Sequence, residues 1–204
     1  MIFPFIVIDN ITHLGTKVNS KMTVYAPKPP TLFIHIPKTG GVSIGRWMVA
    51  NAKGKHIKSG GQHPKHQTPT TRSLKKKYPN VFKFCVVRNP WERLVSLHSY
   101  YLRKDHKKYS HFKTFEDFVM NSDLGFGKVP QFRWAKHCEL VLRLENIEED
   151  FKQIQERLNS DEPLSHENRS EHTHYTDYYT PKMLDKVASI IEIDAKAYKY
   201  EYGR

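Results

Sequence analysis

The sequence predicts an α/β fold, a three-layer sandwich with a mostly parallel central sheet and helices on both faces. Two observations predict it. Short apolar runs rich in β-branched and aromatic residues alternate with segments whose apolar residues recur at the helical period. The clearest runs, 31–36 and 81–87, also read as buried strands, as in a sheet covered on both sides. The chain has 204 residues and a mean hydropathy of −0.65, which suits one domain with one sizeable core.

Residues 1–30 read as an N-terminal extension without a legible motif, and 31–204 as a single domain. The opening MIFPFIVI lacks the basic flank and small-residue cleavage site of a signal peptide. No apolar run approaches the ~20 residues that span a bilayer, so neither a membrane span nor an anchor is expected and the setting is read as cytoplasmic. Pro27, Lys28, Pro29 and Pro30 form a stiff lead-in to the first strand, 31–36. Pro37 ends that strand because it cannot donate to a ladder. Ser43, Ile44, Trp47 and Met48 then mark a helix, which Gly54 stops.

A polar loop rich in Gly, Pro and His follows, with His56, His63 and His66, and then a basic helical segment over 70–78. The second strand, 81–87, runs into a helix with Asn89 as N-cap, Pro90 in the first turn and Glu92 completing a capping box. Trp91, Leu94, Val95, His98 and Leu102 form its expected buried stripe. A short helix over 114–121 turns Phe115, Phe118 and Val119 inward. A third strand at 140–144 precedes a capping box of Asn146 and Glu149, and a helix defined by Ile147, Phe151, Ile154 and Leu158. Thr180 and Pro181 start a last helix, with Leu184, Val187, Ala188 and Ile191 inward.

The net charge is +12, unevenly spread. From 53 to 113 there are sixteen Lys and Arg against two acids, Glu92 and Asp105, whereas 139–171 holds ten acids and four bases. A polyanionic partner is therefore expected on the first half: a nucleotide, an acidic glycan or a nucleic acid. The two cysteines, Cys85 and Cys138, make no disulfide framework, and Cys85, in an apolar run, reads as a buried free thiol.

The chemistry concentrates in PKTGGVS, Pro37, Lys38, Thr39, Gly40, Gly41, Val42 and Ser43. A strand, a turn with two glycines and a helix start aim backbone N–H groups at one point, where the helix dipole favours an anion. Lys38 adds a mobile positive charge. The order is not that of a Walker A loop, whose lysine follows its glycines. A second anion site is expected at Arg88, where the second strand ends, with Ser96 eight residues on. Ligands of open α/β sheets sit at the carboxyl ends of strands, and a guanidinium fork suits a phosphate.

HIPKTGGVSI followed by FCVVRNPWERLVSLHSYY resembles the sulfotransferase family, most of all its carbohydrate-type branch with small bacterial and viral relatives. The resemblance extends through LRLENIEEDF, Asn168 to Ser170 and the last helix, about 32–202. It implies a P-loop-NTPase-like sulfotransferase fold and 3′-phosphoadenosine 5′-phosphosulfate (PAPS) as donor. By the same resemblance, Pro37 to Ser43 match the 5′-phosphosulfate loop and Arg88 with Ser96 the pair that holds the 3′-phosphate, while Arg169 and Ser170 close over the nucleotide.

The expected reaction is in-line transfer of a sulfuryl group to an acceptor hydroxyl, on a glycan. Lys38 would stabilise charge on the leaving oxygen, and the general base would be His66, with His63 as the second choice. No metal is expected: His63 and His66, and His172 and His174, have metal-like spacing but no companion ligand. Tyr178, Tyr179 and Trp134 are candidates to stack on adenine. Two other readings compete: a P-loop kinase-like phosphotransferase, which the lysine order disfavours, and a non-enzymatic basic module binding polyanions. No nucleic-acid motif is present, so nucleic acid is not the expected partner.

Overall fold

The computed structural model describes residues 23–57, 76–165 and 173–204. Strands β1 (Val24–Pro27), β2 (Pro30–Ile34), β3 (Lys55–His56), β4 (Phe82–Val87) and β5 (Leu140–Arg143) form one sheet in the order β3-β1-β2-β4-β5. The α/β class is as expected, but the sheet is mixed rather than mostly parallel. β2–β4 and β4–β5 pair in parallel, while β1 pairs antiparallel with both β2 and β3. The reason lies in the proline-rich stretch read as a lead-in. It is a tight turn in which Pro27 faces Pro30, and it folds β1 back along β2. β1 thus joins the sheet from within the stretch expected as an extension.

Side-chain alternation sends apolar groups to both faces of the sheet. Val24, Ala26, Phe33, Phe84, Val86 and Leu142 face one side. There they meet Ile44, Trp47 and Met48 of α1 (Gly41–Asn51) and Phe151, Ile154 and Leu158 in and beside α6 (Lys152–Leu158). On the other side, Leu32, Ile34, Cys85 and Val87 pack against Trp134 and Ala135 of α4 (Phe132–Ala135). A further apolar cluster joins α2 (Pro90–Arg103), α3 (Phe115–Asn121) and α7 (Pro181–Tyr198).

The helix starts follow their sequence signals in part. The Asn89 side chain accepts from the N–H groups of Trp91 and Glu92, Thr114 caps α3 and Thr180 caps α7. Glu92 does not complete the box: its carboxylate binds Arg88, and the Asn89 N–H goes to Glu145 at 2.5 Å. Asn146 makes no side-chain cap for α5 (Ile147–Asp150); its amide donates to Asp150 at 2.8 Å. The expected single helix over 147–158 is divided into α5 and α6, though Ile147, Phe151, Ile154 and Leu158 are all buried. In α2 the buried face is wider than a stripe, since Arg93, Ser96, Leu97 and Tyr101 join Leu94, Val95 and His98, while Trp91 and Leu102 are only half-buried. In α7 Met183 is buried and Ala188 exposed. Among the described residues no helix is long and apolar enough to cross a membrane.

Candidate functional site

β2 and β4 are parallel neighbours with Ile34 beside Cys85. The segments after them, which carry the glycine turn and Arg88, therefore emerge side by side at the carboxyl edge. Arg88 Nη1 donates to the Lys38 carbonyl at 3.4 Å, so the two segments expected from the sequence to bind anions meet at one edge of the sheet.

The turn is held from several sides. Lys38 and Gly40 both have positive φ, 71° and 74°. That conformation is natural for glycine and uncommon for lysine, and such strain persists only where the surroundings over-determine it. Thr39 Oγ1 donates back to the Ile36 carbonyl at 3.0 Å, and Arg93 Nε donates to the Pro37 carbonyl at 3.0 Å. Gly41 is required by packing: a Cβ there would lie 1.7 Å from Cδ2 of the buried His35. Gly40, the N-cap of α1, supplies no side-chain cap hydrogen bond to the first turn of the helix. Ser43 lies buried in that first turn and Val42 is half-buried.

Lys38 Nζ lies 4.6 Å from the centroid of the Tyr100 ring, a cation–π contact. Burial, with the Arg88 and Arg103 charges adding to it, pulls its ammonium from the usual 10.5 down to about 8. It is still protonated at neutral pH.

Arg88 is fixed at both its backbone and its tip. Its N–H donates to Gln131 Oε1 at 2.9 Å and its carbonyl accepts from Gln131 Nε2 at 2.7 Å. Gln131 is itself buried, and its backbone N–H donates to Asp194 of α7 at 2.8 Å. At the tip, Arg88 Nη2 donates to Glu92 Oε1 at 2.8 Å. Its Nε is buried and has no hydrogen-bond partner among the described residues. A buried donor without a partner costs about 1–3 kcal/mol, which a ligand oxygen would relieve. Ser96, two turns into α2, is 4% exposed.

Arg93 escaped the sequence reading. It is 3% exposed, and it also donates to the Val129 and Phe126 carbonyls at 3.2 and 3.0 Å. Burial lowers it to about 10, and the nearby Asp194 carboxylate acts the other way. An arginine on a helix ordinarily reads as solvent-facing, so no local signal marked it. Gln131 and Asp194 were missed for the same reason: their partners are distant in the chain.

His63, His66, Arg169 and Ser170 lie outside the described residues, as does His172. His174 is exposed, with Nδ1 2.7 Å from Thr176 Oγ1. Among the described residues no group of three or more His, Cys, Asp or Glu is placed to hold a metal ion. Of the aromatic candidates, Trp134 belongs to the core under the sheet, and Tyr179 is spent on Phe115 and on a 3.0 Å bond to the Trp91 carbonyl. Tyr178 packs edge-on against Phe115.

The family model described as "Sulfotransferase family" matches residues 21–201, so the chain belongs to the sulfotransferase family. Comparison with curated proteins and with solved structures returns no match. The match takes in β1, as well as the glycine turn and the segment that carries Arg88. Membership carries the family's general activity, sulfuryl transfer.

Proposed function

We propose that the chain moves a sulfuryl group from PAPS to an acceptor hydroxyl, on a glycan, at the edge formed by Lys38 and Arg88. The observation that carries this is the buried Nε of Arg88, which has no hydrogen-bond partner among the described residues, beside a glycine turn that leads into the N-terminus of α1. Two anion-seeking features joined by one 3.4 Å contact suit a ligand with phosphates at both ends of a nucleoside. Its 5′ end would lie on Pro37, Lys38, Thr39, Gly40, Gly41, Val42 and Ser43, and its 3′-phosphate on Arg88 and Ser96. Arg169 and Ser170 would close over the nucleotide.

When bound, the donor supplies an activated sulfuryl group on a phosphate leaving group. Lys38 is suited to stabilise negative charge as it develops there, because its ammonium is already partly desolvated. The Tyr100 ring and the Arg93–Pro37 bond hold the turn in place, so little reorganisation is needed at the moment of reaction. His66, or else His63, would take the proton of the acceptor hydroxyl. Lys38, Arg88 and the α1 N-terminus can together offset the charge of the donor, so no metal is assigned a role.

Titration with adenosine 3′,5′-bisphosphate tests the donor site. Binding is expected, accompanied by a rise in melting temperature, and Arg88→Gln should weaken it at least tenfold. Labelled PAPS with a panel of glycan acceptors then tests transfer. Bisphosphate binding no tighter than that of adenosine would refute the donor assignment.

A further inference from the structure

Residues 92, 96, 100 and 103 follow one another on a single face of α2, at spacings of four, four and three. The first three already serve the cleft edge. Glu92 holds Arg88 at 2.8 Å, Ser96 is buried in the second turn, and the Tyr100 ring lies beneath Lys38 Nζ at 4.6 Å. Arg103 continues this line beyond Lys38, in the last turn of the helix. Its charge acts on the Lys38 ammonium. Yet it is exposed and forms no ion pair or side-chain hydrogen bond among the described residues.

Among the described residues no acid forms an ion pair with Arg103. Exposed Lys104, Lys107 and Lys113 follow it in the chain. Of the nearby acids, Asp105 accepts from Ser110 Oγ at 2.9 Å, and Asp123 is shared between Lys108 at 2.9 Å and Lys128 at 3.4 Å. A cation cluster at the reacting end, with its own acids engaged, favours an approaching molecule that carries negative charge.

We propose that Arg103 reads the acceptor, pairing with an anionic group, a carboxylate or a sulfate ester, next to the glycan hydroxyl that is modified. This rests on the reading of Lys38 as the reacting end of the donor site. The guanidinium fork gives bidentate recognition, and Tyr100 separates it from the nucleotide end of the helix. A structural role for Arg103 is to complement the α2 dipole from its last turn, which would not alter a preference between ligands.

The test uses the full chain and three hexasaccharides: one bearing uronate carboxylates only, its carboxyl-reduced neutral form, and that neutral form carrying sulfate esters. Binding is measured by calorimetry with and without adenosine 3′,5′-bisphosphate. At least one anionic form is expected to bind tenfold or more tighter than the neutral one, and which one identifies the group. Arg103→Gln should abolish that preference, and Arg103→Lys should keep part of it, with bisphosphate affinity unchanged in both. Equal binding of all three forms, no binding of any, or an unchanged preference in Arg103→Gln would each overturn the proposal. Loss of bisphosphate binding in the wild-type chain would instead sink the donor reading, so the two failures are distinguishable.

Discussion

Arg93 Nε donates to the Pro37 carbonyl at 3.0 Å, tying the buried face of α2 to the turn that carries Lys38. The same guanidinium binds the Val129 and Phe126 carbonyls, so one side chain joins three segments far apart in the chain. The turn cannot shift without breaking a charge-assisted bond inside the protein.

Replacing Arg93 by Met keeps much of the volume and leaves the buried Pro37 carbonyl and the part-buried Val129 carbonyl without their donor, while the Phe126 carbonyl keeps the Val129 N–H. At about 1–3 kcal/mol for each such group, a loss of about 2 kcal/mol or more is expected. For a chain of this size that lowers the melting temperature by roughly 4–8 °C, at 2–4 °C per kcal/mol. Calorimetry checks this, and a change below 2 °C would show that Arg93 does not hold the turn.

Gly41→Ala should be destabilising because the new methyl collides with the His35 ring rather than with solvent. Overpacking of this kind costs about 1–3 kcal/mol. The two sites are in contact, so their effects should not add. The double variant His35→Ala, Gly41→Ala should be no less stable than His35→Ala by itself. Additive losses in chemical denaturation would point to another cause.

Lys38→Ala should lower kcat for transfer by about 10²–10³, the usual cost of removing a group that stabilises developing charge. Affinity for adenosine 3′,5′-bisphosphate should fall much less, since Arg88 and Ser96 remain. Steady-state kinetics with labelled PAPS separates the two. Wild-type kcat in this variant would remove Lys38 from the reaction.

The protonation of Lys38 sets the alkaline limb. Its folded value of about 8 lies below the usual 10.5, so the charged form is lost as pH rises through about 8. The kcat/KM for the donor should therefore fall above pH 8, and Lys38→Arg should remove that fall up to about pH 10. The sign for stability is opposite. Below pH 8 the folded state bears the cost of a desolvated ammonium, and between about 8 and 10.5 the unfolded chain binds more protons. Stability relative to Lys38→Met should rise across that window. Paired pH profiles of activity and of denaturation midpoint check both signs.

Arg88 can be weakened from a distance. Gln131→Leu removes both bonds to the Arg88 backbone and leaves the guanidinium untouched. Bisphosphate affinity should fall about three- to tenfold, with the larger change in KM for the donor and little in kcat. An equal fall in both constants would place Gln131 nearer the reacting atoms than this geometry does.

The elements legible in the sequence were those written in local code. Asn89, Thr114 and Thr180 cap helices because their side chains meet N–H groups two or three residues on. Buried runs gave β2 and β4, and the order of residues placed the glycine turn and Arg88, the proposed anion sites, after strands, because strand ends and helix starts are set by neighbouring residues. The two capping boxes failed although their competitors are just as local: Glu92 binds Arg88 and Asn146 binds Asp150, each four residues away, while the Asn89 N–H goes to the distant Glu145.

By itself the sequence determined the α/β class, the turn, and the placing of Lys38 and Arg88 at strand ends, since propensity and periodicity act over a few residues. Only the tertiary structure decided that β1 folds back to make the sheet mixed, and that Lys38 and Arg88 touch. It also set the Tyr100 ring under Lys38, and Arg93, Gln131 and Asp194 as supports. Each of those rests on a contact between residues distant in the chain, where the partner is chosen by packing and by the need to satisfy buried polar groups.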